Sequence, residues 1–160
     1  MVLVVAEAAH LDGLDALLND PEVARWLGGP RSREAIAATI EAERGHWVAH
    51  GFGPWVALDA EGTRVVGRGG LRRVRIGERE EIEVFYAVEP GQWRQRVGTA
   101  IARAAIGLTG SRPEIESVVA FTTWDNVASR GVIERLGFVR DGWFEHAGLP
   151  HLLYRLKSPQ

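Results

Sequence analysis

The chain contains no cysteine. That excludes disulfides, thiolate metal sites and a cysteine nucleophile, and it fits a reducing compartment. The opening residues MVLVVAEAAH lack the basic start and long apolar run of a secretory leader. No apolar run approaches the ~20 residues that a membrane-spanning helix needs. A cytoplasmic protein with no membrane attachment is therefore expected. An excess of positive charge is missing as well: 19 Lys and Arg against 21 Asp and Glu leave a net charge of −2. Nucleic-acid binders draw much of their affinity from neutralising phosphates, so no nucleic-acid partner is expected. Internal repeats, low-complexity tracts and Pro/Gly/Ser linkers are also absent. Residues 1–160 read as a single domain, with ordinary globular shares of 46% hydrophobic and 25% charged residues.

The periodicity changes along the chain. Val2–Ala6 reads as a short strand, and His10–Asn19 carries Leu11, Leu14, Leu17 and Leu18 at helical spacing. Asp20-Pro21 is a helix-start signal for a short helix that runs to about Leu27 and stops at Gly28-Gly29-Pro30. Ser32-Arg33-Glu34 opens another helix, with Ile36, Ile40 and Trp47. Pro54–Leu58, Arg64–Ile76 and Glu81–Val88 then read as strands joined by short turns, an antiparallel meander. A helix over about Val97–Thr109 follows, with Gly110 as its expected C-cap. Next come a strand at Ser117–Thr123 and a helix from about Asn126 to Leu136, stopped by Gly137. Two strands fill Phe138–Leu156, around a turn at Ala147–Pro150. The fold class is α/β (α+β), with a mixed, mostly antiparallel central sheet flanked by helices.

Three segments carry chemistry. In Glu81–Val88, both faces turn apolar from Val84 onward, as in a central strand. Glu83 shares a face with Phe85 and Ala87. Desolvation there would raise its pKa and suit it to act as a general base; alternatively, Glu83 lies near a strand end and meets water or an arginine. In Trp93-Arg94-Gln95-Arg96-Val97-Gly98-Thr99-Ala100, a strand end leads into a helix start, where free N–H groups and the helix dipole suit a phosphate. Gly98 would let a ligand approach the backbone. An exposed basic turn is the plainer reading of the same residues. In Trp124–Ser129, Asp125 or Asn126 can cap the following helix. Ser129, one turn inside, would ordinarily be a helix serine with no chemical role.

In order and spacing, these segments resemble the GNAT superfamily of N-acetyltransferases over nearly the whole chain. The likeness is greatest to the branch typified by ribosomal-protein N-terminal acetyltransferases. Asp20-Pro21-Glu22-Val23 resembles that branch's second-helix start. Glu83–Val88 with Pro90 resembles the strand before the cofactor loop, and Trp93 to Ala100 resembles the pyrophosphate loop. Asn126-x-x-Ser129 with Leu136-Gly137-Phe138 resembles the N-x-x-S…LGF signature. Two departures stand out. Arg94 and Arg96 occupy positions where glycine is common, if the loop is aligned by its helix. Ile133 stands where many members carry a tyrosine acid.

The resemblance implies acetyl-CoA as cosubstrate, no metal, and direct acetyl transfer to a primary amine, either a peptide N-terminus or a small molecule. A homodimer is compatible with it. The implied cofactor contacts are Tyr86, Ala87, Val88, Trp93, Arg94, Gln95, Arg96, Val97, Gly98, Thr99, Asn126 and Ser129. The implied catalytic residues are Glu83 as base and Ser129 as proton donor, with the Val88 amide at the oxyanion. Trp26, Trp47, Trp55, Trp143, Phe144 and His146 are aromatic candidates to line the acceptor pocket. His46 and His50 stand at i, i+4, but the glutamate of H-E-x-x-H and a third ligand are missing, so no metal site is expected. The run Gly67-Arg68-Gly69-Gly70 has no helix after it, as a dinucleotide loop requires, and reads as bends in a strand. A catalytically silent acyl-CoA-binding module is the rival reading.

Overall fold

The computed structural model describes residues 1–158. The chain runs β1 (Val2–Val4), α1 (Leu11–Asn19), α2 (Pro21–Ala24), α3 (Arg33–His50), β2 (Pro54–Leu58), β3 (Val65–Ile76) and β4 (Arg79–Val88). It continues through α4 (Val97–Gly107), β5 (Ser117–Thr123), α5 (Val127–Arg135), β6 (Val139–His146) and β7 (Leu149–Lys157). The strands form one 7-stranded sheet in the order β1-β2-β3-β4-β5-β7-β6. Every neighbouring pair is antiparallel except β4–β5, which is parallel. Among the described residues no helix is long and apolar enough to cross a membrane.

Local chemistry starts and stops the helices. Pro21 occupies the first turn of α2, and Asp20 Oδ1 accepts the Glu22 N–H at 2.9 Å. Ser32 Oγ accepts the Ala35 N–H at the start of α3, which ends at left-handed Gly51. One expected stop differs: α4 ends at Gly107 and tightens into a 3-10 turn over Leu108–Ser111, so Gly110 is not its C-cap. The Thr109 hydroxyl donates to the Ile106 carbonyl at 2.8 Å and satisfies the helix end instead. The β3–β4 hairpin is also tighter than expected. Ile76 pairs directly with Arg79, so β4 begins at Arg79, and Gly77 takes the positive φ of 59° that a two-residue loop requires.

The two faces of the sheet bury different helices. Leu14, Leu17 and Leu18 of α1, Val23 of α2, and Ile36 and Ile40 of α3 pack with Val56, Leu58 and Ala87 on one face. On the other, Ala102 and Ala105 of α4 and Ile133 of α5 pack with Leu71, Val84, Val118, Ala120 and Tyr154. Ile101 is fully buried beside Val66, and such burial contributes roughly 1.5–3 kcal/mol.

Gly67 and Gly69 of β3 serve this second interface. A Cβ on Gly69 would lie 2.3 Å from the Phe85 carbonyl oxygen and 2.7 Å from Ile101 Cγ2. The β3–β4 register runs without a break from Gly67 to Ile76. Gly67 and Gly69 thus admit α4 close to the sheet and do not mark bends in the strand, whereas Gly70, with a φ of 150°, lets Gly53 and Pro54 approach. Gly69→Ala is expected to lower stability by about 1–3 kcal/mol through overpacking. Gly110→Ala, where a Cβ would meet nothing within 4 Å, should leave stability nearly unchanged. Urea unfolding of both variants checks the contrast.

Candidate active site

β4 and β5 share a single registered pair, Glu83 opposite Val119. Towards the N-terminus of β4 the seam is closed by Arg155 of β7. Its guanidinium grips Glu81 with two bonds (2.8 and 2.9 Å) and touches Ser117 Oγ of the intervening β5 at 3.0 Å. Towards the C-terminus the strands part. The Glu89 N–H donates to the Val66 carbonyl at 3.0 Å. By antiparallel alternation, the Val88 amide then points away from β3 and into the opening beside β5. The Val88 carbonyl accepts the Trp93 indole N–H at 2.8 Å, which ties the following loop to the strand end.

That loop feeds α4. Arg94 and Arg96 have φ of 65° and 63°, left-handed backbone that favours glycine. This is the register in which they occupy glycine positions. The first bond of the helix runs from the Ala100 N–H to the Arg96 carbonyl. Among the described residues, the N–H groups of Arg94, Arg96, Val97, Gly98 and Thr99 have no acceptor. A turn of left-handed residues opening a helix concentrates N–H groups and positive dipole on one spot, which suits an anion. The side chain of Gln95 folds back onto the Gly91 carbonyl at 3.0 Å and stiffens the loop. Gly98 has a further reason to be glycine: a Cβ there would sit 3.0 Å from the Tyr86 ring, so it allows the helix to pack on β4.

Across the opening, α5 faces β4. Asn126 Oδ1 accepts the Ser129 N–H at 3.1 Å, so Asn126 is the N-cap, and Asp125 is not. The Tyr86 hydroxyl lies 3.1 Å from both the carbonyl and the Oγ of Ser129. Burial pushes the Tyr86 hydroxyl up to about 12, so it holds its proton at neutral pH. Ile133 is buried in the core and offers nothing to the opening.

The opposite face of β4 carries charge. Glu83 is only 3% exposed, and it pairs with Arg72, its cross-strand neighbour, whose Nε donates to Oε2 at 2.6 Å. Glu83 is therefore desolvated and also meets an arginine. Burial pushes its carboxyl above the ordinary range, against the pull of the Arg72 and Arg68 guanidinium groups. Arg68, equally buried, pairs with Glu43 of α3. Both guanidinium groups lie over the Phe85 ring, at 4.3 Å for Arg72 and 5.0 Å for Arg68. Beside them pack Phe121, Phe144, His146 and His151, with centroids 5.0 Å apart for the two phenylalanines and 5.3 Å for the two histidines. His151 Nδ1 lies 3.0 Å from the Leu149 carbonyl. Burial, His151 and Arg72 together push the His146 imidazole below its ordinary range.

Tyr86, Val88, Trp93, Arg94, Arg96, Val97, Gly98, Thr99, Asn126 and Ser129 thus gather around the opening, and Glu83 stands where the strands part. Ala87 does not join them. Its side chain is in the core under α1–α3, and its main chain pairs with Arg68. Of the aromatic candidates, Phe144 and His146 lie on the Glu83 face. Trp47 donates to the Pro54 carbonyl at 2.7 Å and stacks on Trp55, Arg25 lies over Trp26, and Trp143 is 69% exposed on the edge strand. His46 is held by backbone at both ring nitrogens, by the Phe52 carbonyl and the Arg73 N–H. Sequence reading missed Arg68, Arg72, Glu43, Phe121 and His151. The one available signal was Arg68 and Arg72 four apart in β3, which places both on one face of a strand.

The parted parallel strand pair, the turn of unpaired N–H groups and the buried carboxylate of Glu83 all belong to β4 and its surroundings. The family profile described as "Acetyltransferase (GNAT) domain" matches residues 1–139, and the chain belongs to that family. Solved structures agree in fold. A GnaT-family acetyltransferase from Bordetella pertussis superposes with a TM-score of 0.82 at 22% identity, covering 96% of this chain and 93% of that one. The ribosomal-protein-S5-alanine acetyltransferase of Vibrio fischeri gives 0.78 at 14% identity, covering 98% and 92%. A phosphinothricin acetyltransferase from Sinorhizobium meliloti, in complex with AcCoA, gives 0.77 at 20% identity, covering 98% and 88%.

Asn126→Ala should cost about 1 kcal/mol of stability, because it removes the α5 cap. Asn126→Asp should retain most of it. Thermal unfolding without any ligand measures both.

Proposed function

We propose that this protein transfers the acetyl group of acetyl-CoA to a primary amine by direct attack. The observation that carries the reading is the opening between β4 and β5. It sets an unpaired Val88 amide between the N–H-rich Arg94–Thr99 turn and the buried carboxylate of Glu83. Family membership supports acetyl transfer. The likeness to the ribosomal-protein N-terminal branch makes a peptide N-terminus one acceptor class, and a small-molecule amine is the other.

In this reading the Arg94–Thr99 turn holds the pyrophosphate of acetyl-CoA, and the Val88 N–H receives the thioester oxygen. An amine of lysine-like pKa, about 10.4, is almost wholly protonated at neutral pH. Glu83 removes a proton, directly or through water, and its free Oε1 is the receiving atom. The amine nitrogen attacks the carbonyl carbon, and negative charge develops on the oxygen, where a fixed donor acts most strongly. The C–S bond then breaks and CoA leaves as thiolate. The Tyr86–Ser129 hydroxyl pair passes a proton to the sulfur and is recharged, through water, by the second proton that the attacking nitrogen sheds. Because Tyr86 keeps its proton at neutral pH, it joins Ser129 as a proton source that sequence reading had placed only as a cofactor contact. No covalent enzyme intermediate is needed.

Titration calorimetry should show acetyl-CoA binding that weakens with salt, and thiol release should follow addition of amine. Absence of both binding heat and a thermal shift would remove the reading. Binding without thiol release would favour the silent acyl-CoA module. Glu83→Gln should lower turnover with little change in acetyl-CoA affinity. The deficit should shrink as pH rises, because more acceptor then loses its proton unaided. Wild-type turnover at neutral pH would exclude Glu83 as the base. Ser129→Ala should chiefly weaken acetyl-CoA binding, by about 0.5–1.5 kcal/mol. Single-turnover rates at saturating acetyl-CoA separate that loss from a chemical one.

A further inference from the structure

The ionic cluster beside Glu83 is asymmetric. Arg68 is 5% exposed and pairs with Glu43 on the covering helix, so it is enclosed. Arg72 is bound to Glu83 through Nε alone. Among the described residues its two terminal nitrogens have no acceptor, and 38% of its side chain is open. The Phe85 ring lies under the guanidinium, 4.3 Å from its carbon, and supports it from one side. A guanidinium so held presents a rigid pair of donors, the geometry that matches a carboxylate with two parallel bonds.

Charge in the cluster is balanced before any ligand arrives, with Arg68 and Arg72 against Glu43 and Glu83. A simple ammonium entering beside Glu83 would bring an uncompensated positive charge into a desolvated place, next to an arginine whose terminal donors are free. An acceptor that carries its own carboxylate enters neutral and fills those donors. Spacing narrows the choice. Nε and Oε2 are already joined at 2.6 Å, so covalent geometry keeps Oε1 and the terminal nitrogens within one ion pair. They can meet an ammonium and a carboxylate only if the two are close, as on the single carbon of an α-amino acid. On the same face of the sheet Phe121, Phe144, His146 and His151 pack together, a surface for an amino-acid side chain.

We propose that Arg72 is the specificity-determining residue of the acceptor site, and that it selects a free α-amino acid by pairing with its carboxylate while the amine meets Glu83. This rests on the acetyl-transfer reading of the opening between β4 and β5. It disfavours a peptide N-terminus, whose neighbouring carbonyl is an uncharged amide.

The test is a matched-pair screen on the full chain saturated with CoA, using the proteinogenic L-amino acids and their C-terminal amides. Affinities come from calorimetry or thermal shift. Thiol release from acetyl-CoA is followed in parallel. At least one acid should bind tenfold or more tightly than its amide, and the same ratio should appear in KM. Arg72→Gln should collapse the ratio towards one, and Arg72→Lys should restore part of it. Should Arg72→Gln fail to fold, the wild-type ratio and the Arg72→Lys variant still decide. If no acid exceeds its amide, or if the preference survives Arg72→Gln, the assignment is overturned. Because binding is read without turnover, the acid-to-amide ratio judges Arg72, while thiol release with any amine judges the acetyl-transfer reading separately.

Discussion

Two parallel strands that meet at one registered pair govern the architecture of this protein. β4 and β5 are clamped on one side of Glu83↔Val119 by Arg155 gripping Glu81 across β5, and they are free to diverge on the other. Parallel strands need a crossover, and here the crossover is the Trp93 turn and α4. The divergence therefore opens beside the N-terminus of the helix that connects the two strands. The same geometry turns the Val88 amide into the gap and lets Tyr86 reach Ser129 on α5. A β4–β5 ladder continuous to Val88 would satisfy these backbone groups and leave no site.

The backbone departs from easy conformations where the opening needs it to. Arg94 and Arg96 hold left-handed φ without being glycine, a conformation that costs on the order of 1 kcal/mol or more per residue. Surrounding contacts impose it: the Trp93 indole on Val88, Gln95 on Gly91, and Gly98 against Tyr86. The result is a row of unpaired N–H groups, flanked by two guanidinium side chains in a chain of net charge −2. Arginine in place of glycine keeps every amide donor and adds positive charge to the turn.

On the other face, burial and pairing oppose each other. Glu83 and Glu43 are both pushed up by desolvation and pulled back by their arginines. Buried ion pairs of this kind add little net stability, because desolvation offsets the attraction. Their value lies in fixed geometry. Phe85, lying under both guanidinium groups, holds the charges in place, and the terminal nitrogens of Arg72 are left free at the edge.

The sequence by itself determined the elements and much of the opening. Period and punctuation located the meander, the helices and the stop at Gly137, because caps and alternation are local interactions. The spacing Asn126-x-x-Ser129 encodes a cap in which the Ser129 N–H donates to Asn126 Oδ1, and the Trp93–Thr99 run carries its own helix start. What failed locally was fine: Gly110 looked like a stop, but Thr109 supplied the end bond. Tertiary structure alone decided which residues face one another. The pairing of Arg72 with Glu83, of Arg68 with Glu43, and the convergence of Phe121, Phe144, His146 and His151 depend on strand register between segments far apart in the chain. A one-residue slip would turn each of those side chains to the opposite face. Ala87 belongs to the core for the same reason. Helix punctuation is written within a few residues, whereas register is fixed only when the two faces of the sheet are buried against α1–α3 and α4–α5.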